Sequence, residues 1–304
     1  MFTDPRLICF LGVLMSSTAA VIARQSDAPA LVIATWRLLF TVGLMAPFVL
    51  CSRREELRGL HLRDAALCAI SGVFLAFHFT VWFESLKWTT VASSTVLVST
   101  EVIFSALGFA LFLKGKIPRL GIAGIALAFA GSALLTLTGR GGAGADALLG
   151  NLLALLGAVL IAVYTLIGRV LRARLSTMVY TFLTYSACLL TLLALDGVTA
   201  TPLTGWGAGT LVAALLLAVL CTFLGHSVFS WCLKWLSPSY VSAVKLCGPV
   251  FAAVLAFFFF SEPVRPLQAA GAAGALLGAL LYTRAEDGKK DAKQEKQDLQ
   301  TIET

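Results

Sequence analysis

Charge is what this sequence has least of. Only 13% of its 304 residues are Asp, Glu, Lys or Arg, 59% are hydrophobic, and the mean hydropathy is +0.89. Soluble domains carry about 25% charged residues, so the composition excludes a soluble globular chain and calls for an integral membrane protein. The sequence also lacks a GxxxxGK[ST] phosphate loop, a CxxC pair and any His/Cys spacing suited to a metal. These absences argue against ATP-driven chemistry and against a redox or metal centre. They leave no cofactor to expect and no sign of an enzyme. The seven cysteines lie in or at the ends of apolar runs and read as small packing residues. The net charge of +7 is spread over short loops and a tail, so it is not a nucleic-acid signal.

Long apolar runs are what the sequence does have. Crossing a bilayer takes roughly 20 residues, and ten runs approach that length: 6–23, 29–51, 64–84, 91–113, 120–138, 148–168, 178–196, 207–231, 239–260 and 267–283. They are far longer than the roughly 10-residue alternating strands of a membrane barrel, so an all-α, multi-pass protein is expected. With the N-terminus placed inside, 17 of the 23 Lys and Arg fall in inside segments and four outside, with Arg37 and Lys245 inside the membrane. This bias puts both termini in the cytoplasm. Leu7 to Ala23 followed by Arg24 also has the outline of a signal peptide, but the repeat described next needs this helix, so it is expected to be retained. The polar tail over 285–304 is expected to be disordered and cytoplasmic.

The two halves of the chain echo each other. Gly12 and Arg24 are twelve apart in the first run, as Gly157 and Arg169 are in the sixth. His78 precedes Lys87-Trp88, and His226 precedes Lys234-Trp235. Lys114-x3-Pro118 aligns with Glu262-x3-Pro266 at the offset that brings Glu101 onto Pro249. The common order predicts a five-helix unit used twice, over 1–140 and 141–284. Five is odd, so the second unit enters the membrane inverted, an architecture of secondary transporters with the site between the repeats.

Five ionisable residues fall inside apolar runs: Arg37, His78, Glu101, His226 and Lys245. A carboxylate at mid-bilayer costs about 2.5–3.5 kcal/mol on insertion scales, and such groups face a bundle interior or a wet cavity. Glu101 can bind a proton or a cationic group; its structural alternative is a pair with Arg37 or a hydrogen bond to a neighbouring helix. His78 and Trp82 share a helix face with Phe74, which suits either stacking on an amine or planar substrate or ordinary packing. His226 is the counterpart of His78, or a hydrogen-bonded core histidine. Arg37 can hold a carboxylate bidentately, and Lys245 can snorkel to headgroups or face inward. Tyr164 matches Ala19 by the repeat offset and can line a cavity or pack. Gly248-Pro249 frees a backbone carbonyl and is a candidate hinge. Ala270, Gly274 and Gly278 make a small-residue face, for packing within the fold or between protomers.

Arg37 in "ATWRLL", the segment "HFTVWFESLKWTTVASSTVLVSTEVIFSALGF" and its counterpart "LKWLSPSYVSAVKLCGPVFAAVLAFFFFSEPVRPLQAAGAAG" resemble the EamA-type members of the drug/metabolite transporter superfamily, over roughly 6–285. Pro249 and Glu262 keep that pattern. Glu101 and Lys114 depart from it, standing where Pro and Glu are usual. The resemblance implies movement of small organic metabolites, often amino acids, without ATP, and a structural role for Arg37 in tying helix ends. The expectation is a secondary transporter of the cytoplasmic membrane, monomeric or homodimeric. Its partners are a small-molecule substrate, the lipid bilayer and a proton as candidate coupling ion. Amino acids or derivatives come first as substrate, and an organic cation second. A lipid flippase and a non-transporting scaffold are the readings of another class.

Overall fold

In the lipid core every backbone N–H and C=O must be satisfied within the segment that carries it, which leaves helices as the structure for apolar runs of this length. The computed structural model describes residues 4–112, 117–138, 147–172, 174–232 and 245–302, and the described residues form helices and connections with no strand. In chain order the helices are α1 Pro5–Ser17, α2 Ala19–Arg24, α3 Ala30–Ser52, α4 Arg54–Arg58, α5 Leu62–Trp88, α6 Val91–Ser99, α7 Glu101–Phe112 and α8 Arg119–Thr138. Then follow α9 Ala147–Leu171, α10 Thr177–Val198, α11 Gly207–Leu216, a π-helix Leu217–Ser227, α12 Val228–Cys232, α13 Gly248–Phe260 and α14 Pro266–Ile302.

Among the described residues, seven stretches are long and apolar enough to cross a membrane: Pro5–Arg24, Ala30–Ser52, Leu62–Trp88, Val91–Phe112, Ala147–Gly168, Thr177–Val198 and Gly207–Gly225. Three shorter apolar helical stretches, Arg119–Leu134, Gly248–Phe260 and Pro266–Tyr282, fall in the remaining expected runs. Leu190, Phe257 and Phe258 are among many large apolar side chains left exposed. In water such faces would drive association; against lipid tails they are the solvated surface.

Several details differ from the sequence expectations. The fourth run is interrupted at Thr100, whose hydroxyl donates to the Leu97 carbonyl at 2.6 Å. Glu101 therefore opens a helix, where the N-terminal end of the dipole favours a carboxylate. The first run is interrupted in the same way at Thr18, whose hydroxyl donates to Met15 O at 2.7 Å. Hydroxyls that bond back into the preceding turn compete with the backbone ladder. The eighth run widens into a π-helix, a form found mostly at functional sites. Its all-round apolar sequence gives no periodicity from which this could be read. Gly248-Pro249 begins α13, with Pro in the first turn where its missing N–H is not needed. The part of that expected run over 239–244 lies outside the described residues. The tail, expected to be without structure, continues α14 as helix to Ile302. Its Ala, Lys, Glu and Gln are strong helix formers.

Packing interleaves the two halves of the chain. α5 packs on α9 and α10, α3 on α10 and α11, and α6 and α7 on α9. α1 lies on the π-helix, α12 and α13, while α13 also packs on α6 and α14 on α8. The α8–α14 contact is antiparallel and depends on glycine. A Cβ on Gly131 would stand 2.3 Å from the Ala275 amide nitrogen, and one on Gly278 would stand 2.4 Å from that of Ala128. Gly274 and Gly278 therefore spend their small size inside the fold, while Ala270 is exposed.

Candidate functional site

The interrupted first and fourth runs, α3, α5, α9, α10, the π-helix and the start of α13 surround a cavity of about 210 Å³. Arg37, His78, Trp82, Glu101, Tyr164, Lys245, Gly248 and Pro249 all line it. Residues up to 212 positions apart, and of every charge type, thus meet in one space. His226 lies in the π-helix, and its side chain is outside the described residues. Sequence reasoning missed Tyr185, Cys221, Thr222, Ser16 and Ser17, which also line the cavity. Small hydroxyl and thiol groups in apolar runs are too common to stand out, although Thr222 and Cys221 sit in the widened helix.

Arg37 is buried, at 3% exposure. Its Nη2 donates to Thr222 Oγ1 at 3.3 Å, and its guanidinium carbon lies 4.4 Å from the centre of the Phe79 ring. Among the described residues, Nε and Nη1 have no acceptor and no carboxylate pairs with the guanidinium. The Arg37–Glu101 pair considered from sequence is not formed. Stacking on Phe79 offsets part of the cost of burying this charge, and the remaining donors stay open.

His78 is buried and its Nδ1 lies 2.8 Å from the Gly157 carbonyl oxygen. A carbonyl only accepts, so Nδ1 carries the hydrogen in this contact. The His78 and Trp82 rings stack at 5.8 Å and 18°. Trp82 Nε1 is buried without an acceptor among the described residues. Glu101 is half-buried and, among the described residues, makes no hydrogen bond or ion pair; Lys245 is its charged neighbour. The Lys245 ammonium lies 5.7 Å from the centre of the Phe229 ring. Tyr164 is half-buried, tilted against Tyr180 at 6.2 Å.

Beyond the cavity, polar bonds close one end of the bundle. Ser261 adopts the left-handed conformation, φ 52°, which ends α13 and turns Glu262 inward. Glu262 Oε1 pairs with Arg24 at the end of α2, and Oε2 accepts from the Val91 amide at the start of α6 at 3.0 Å. Arg24 also lies over the Phe260 ring at 4.9 Å. Nearby, Thr35 donates to Asp196 at 2.7 Å, Thr89 donates to Asn151 at 2.7 Å, and Trp36 Nε1 donates to the Leu203 carbonyl at 2.9 Å. At the other end Arg174 pairs with Asp64 at 3.3 Å, and Glu56 accepts from the Ser176 amide and hydroxyl at 2.6 and 2.7 Å. Sequence reasoning singled out neither member of the Arg24–Glu262 pair as a partner of the other. The available signal was an acid beside Pro263 and a base closing the first run, both at junctions with few other charges.

The model of the EamA-like transporter family matches the chain twice, over residues 6–137 and 148–284. An uncharacterized transporter of Archaeoglobus fulgidus is 27% identical over 256 residues, covering 83% of this chain and 86% of the relative. A protein of known crystal structure shares the fold at a TM-score of 0.60 and 20% identity, over 92% of this chain and 98% of that one.

Proposed function

This chain belongs to the EamA-like transporter family, of the drug/metabolite transporter superfamily, and we propose that it is a ten-span secondary transporter of a small organic metabolite, with amino acids or their derivatives first. The observation that carries this reading is the central cavity, where Arg37, His78, Glu101 and Lys245 meet below a sealed end. A structural bundle has no need of an open arginine fork and an unpaired carboxylate around one internal space.

The reading includes a 5+5 inverted repeat and alternating access across the cytoplasmic membrane, with both termini inside. Packing supports the repeat: α5 on α9 answers the π-helix on α1, and α10 on α5 answers α3 on α11. The self-equivalent pairs point to the axis. Gly124 meets Gly278 and Gly131 meets Ala275, so α8 and α14 are antiparallel. A twofold in the membrane plane gives that sense; one along the normal would make them parallel. The two matches of the family model support the same duplication. The lysine and arginine bias supports the orientation.

Glu101 is the proposed coupling group, because it opens a helix at the cavity without a fixed partner. A second reading, an organic cation, draws on the same carboxylate and on the Trp82 face, but Arg37 and Lys245 in the same wall oppose it. Uptake and efflux screening in proteoliposomes, with and without a pH gradient, tests the transport reading. Glu101→Gln is expected to abolish gradient-driven accumulation while exchange persists. Wild-type accumulation with unchanged pH dependence would refute the coupling role, and loss of binding itself would favour the cation.

A further inference from the structure

A second and larger space adjoins the central cavity. It is a cleft of about 760 Å³ between α3, α9, α10 and the π-helix, on the side of the bundle that carries Arg53 and Ser176. Leu44, Met45, Phe48, Met178 and Phe223 make most of its wall apolar. Tyr164, Tyr185 and Thr222 line both spaces, so the two volumes share a wall. Thr222 is also the acceptor for Arg37 Nη2. The buried guanidinium therefore stands at the junction of a polar cavity and an apolar cleft.

Among the described residues, the fully buried side-chain atoms of this cavity left without a partner are donors, Arg37 Nε, Arg37 Nη1 and Trp82 Nε1, while the half-buried Glu101 offers acceptors elsewhere in the same wall. Arg37 is a buried cation without a counter-charge among the described residues. A planar pair of acceptor oxygens with one negative charge matches a guanidinium fork. A polar metabolite confined to about 210 Å³ would leave the apolar cleft unused. An apolar arm would fill it, at a gain proportional to the area removed from water.

Building on the transporter reading above, we infer that the substrate is an organic carboxylate with an extended apolar arm. The carboxylate docks on Arg37 and Trp82, and the arm runs beside Tyr164 and Tyr185 into the Leu44–Phe48–Phe223 cleft. Arg53 at the far edge of the cleft supplies a positive mouth for the incoming anion.

The test uses the full chain in nanodiscs and unbranched alkyl carboxylates as probes, read by calorimetry against empty nanodiscs. Each buried methylene is worth about fourfold in affinity, so octanoate should bind at least tenfold more tightly than hexanoate. Octylamine should bind at least tenfold more weakly than octanoate. Thr181 lines the cleft and not the central cavity, so Thr181→Trp should flatten the length dependence and leave hexanoate within about twofold of wild type. Arg37→Gln should erase the preference for carboxylate over amine, and Arg37→Lys should restore part of it. If Arg37→Gln does not fold, Arg37→Lys and Thr181→Trp still decide the head-group and arm assignments. Equal binding of acid and amine, or a length dependence untouched by Thr181→Trp, would overturn the inference. So would a co-purified phospholipid that wild type retains and Thr181→Trp sheds, since that makes the occupant a bilayer lipid. Flux of octanoate in proteoliposomes separates the two readings. Specific binding without flux of any solute keeps this site and refutes transport. Flux of another solute without carboxylate binding keeps transport and refutes this site.

Discussion

At the Glu262 end of the bundle, polar bonds join segments from across the chain: Arg24 and the Val91 amide to Glu262, Thr89 to Asn151, Thr35 to Asp196 and Trp36 to Leu203. At the Asp64 end the described bonds are fewer. Asp64 holds Arg174, Glu56 holds Ser176, and the Cys232 thiol rests on the Pro5 carbonyl at 3.7 Å. The large cleft opens in the half of the bundle nearest this second end. The difference is also one of burial: Arg24 and Glu262 have side chains 15% and 9% exposed, whereas Arg174 is 57% exposed. Buried polar bonds between segments make a seal, and exposed ones make a tether. On the proposed alternating-access reading, the Glu262 end is the closed side of the cavity.

The largest effect expected from this contrast follows Glu262→Gln. The change leaves the Arg24 guanidinium part-buried opposite a neutral amide, and removing one partner of a buried pair costs about 3–5 kcal/mol. Thermal unfolding in detergent should fall well below wild type, and a cysteine at position 93, beside Glu262, should become reactive to a hydrophilic thiol reagent in a Cys-free background. Unchanged melting and continued protection would mean that this end is sealed by apolar packing instead.

The contrast also explains how much of the molecule could be read from the sequence. The helical class and the apolar spans follow from run length, because the bilayer fixes both thickness and secondary structure. Arg37, His78, Trp82, Glu101 and Lys245 were legible as candidates because each is an anomaly in its run, and their meeting in one cavity is geometry that no single run contains. The apolar cleft had no such signal: Leu44 and Phe48 remain more than half exposed, like other lipid-facing residues, and only the placing of α10 and the π-helix beside them makes a cleft of that face. The Arg24–Glu262 pair spans 238 positions, so it exists only once the ends of the first and ninth runs are adjacent. The helix through the tail was missed because polarity signals exposure, and exposure does not preclude helix.

A pair of glycine substitutions sharpens the comparison. Gly150, at the sealed end, faces the Thr89 backbone so closely that a Cβ would stand 2.7 Å from its amide nitrogen. Gly150→Ala must push α9 away from the end of α5 and strain the Thr89–Asn151 bond. Overpacking of this kind costs about 1–3 kcal/mol. Gly59, at the Asp64 end, would place its Cβ no closer than 3.6 Å to the Glu55 carbonyl oxygen, an ordinary contact. Its backbone φ of −82° suits any residue. Gly59→Ala should therefore melt at or slightly above wild type, since Gly-to-Ala changes at compatible positions gain about 0.4–1 kcal/mol through the unfolded chain. Equal losses at both sites would erase the distinction between the ends.

The smallest effect is expected at the tether itself. Asp64 is buried, but its partner Arg174 is mostly in solvent, and the pair spans 3.3 Å. An ion pair with one exposed member is screened and contributes about 0–1 kcal/mol. Asp64→Asn keeps the shape and the acceptor oxygen for Arg174, so melting should shift by little more than measurement error. What should move is the loop. With the charge gone, Glu56 on Ser176 is the remaining carboxylate contact to the described residues 174–176, and Asp64→Asn with Glu56→Gln removes both anionic anchors. That double variant should raise the labelling rate of a cysteine at position 177, at the edge of the cleft, while a cysteine at position 93 stays protected. Labelling at 93 in step with 177 would show that the two ends are mechanically coupled in this state, and that the seal depends on the tether.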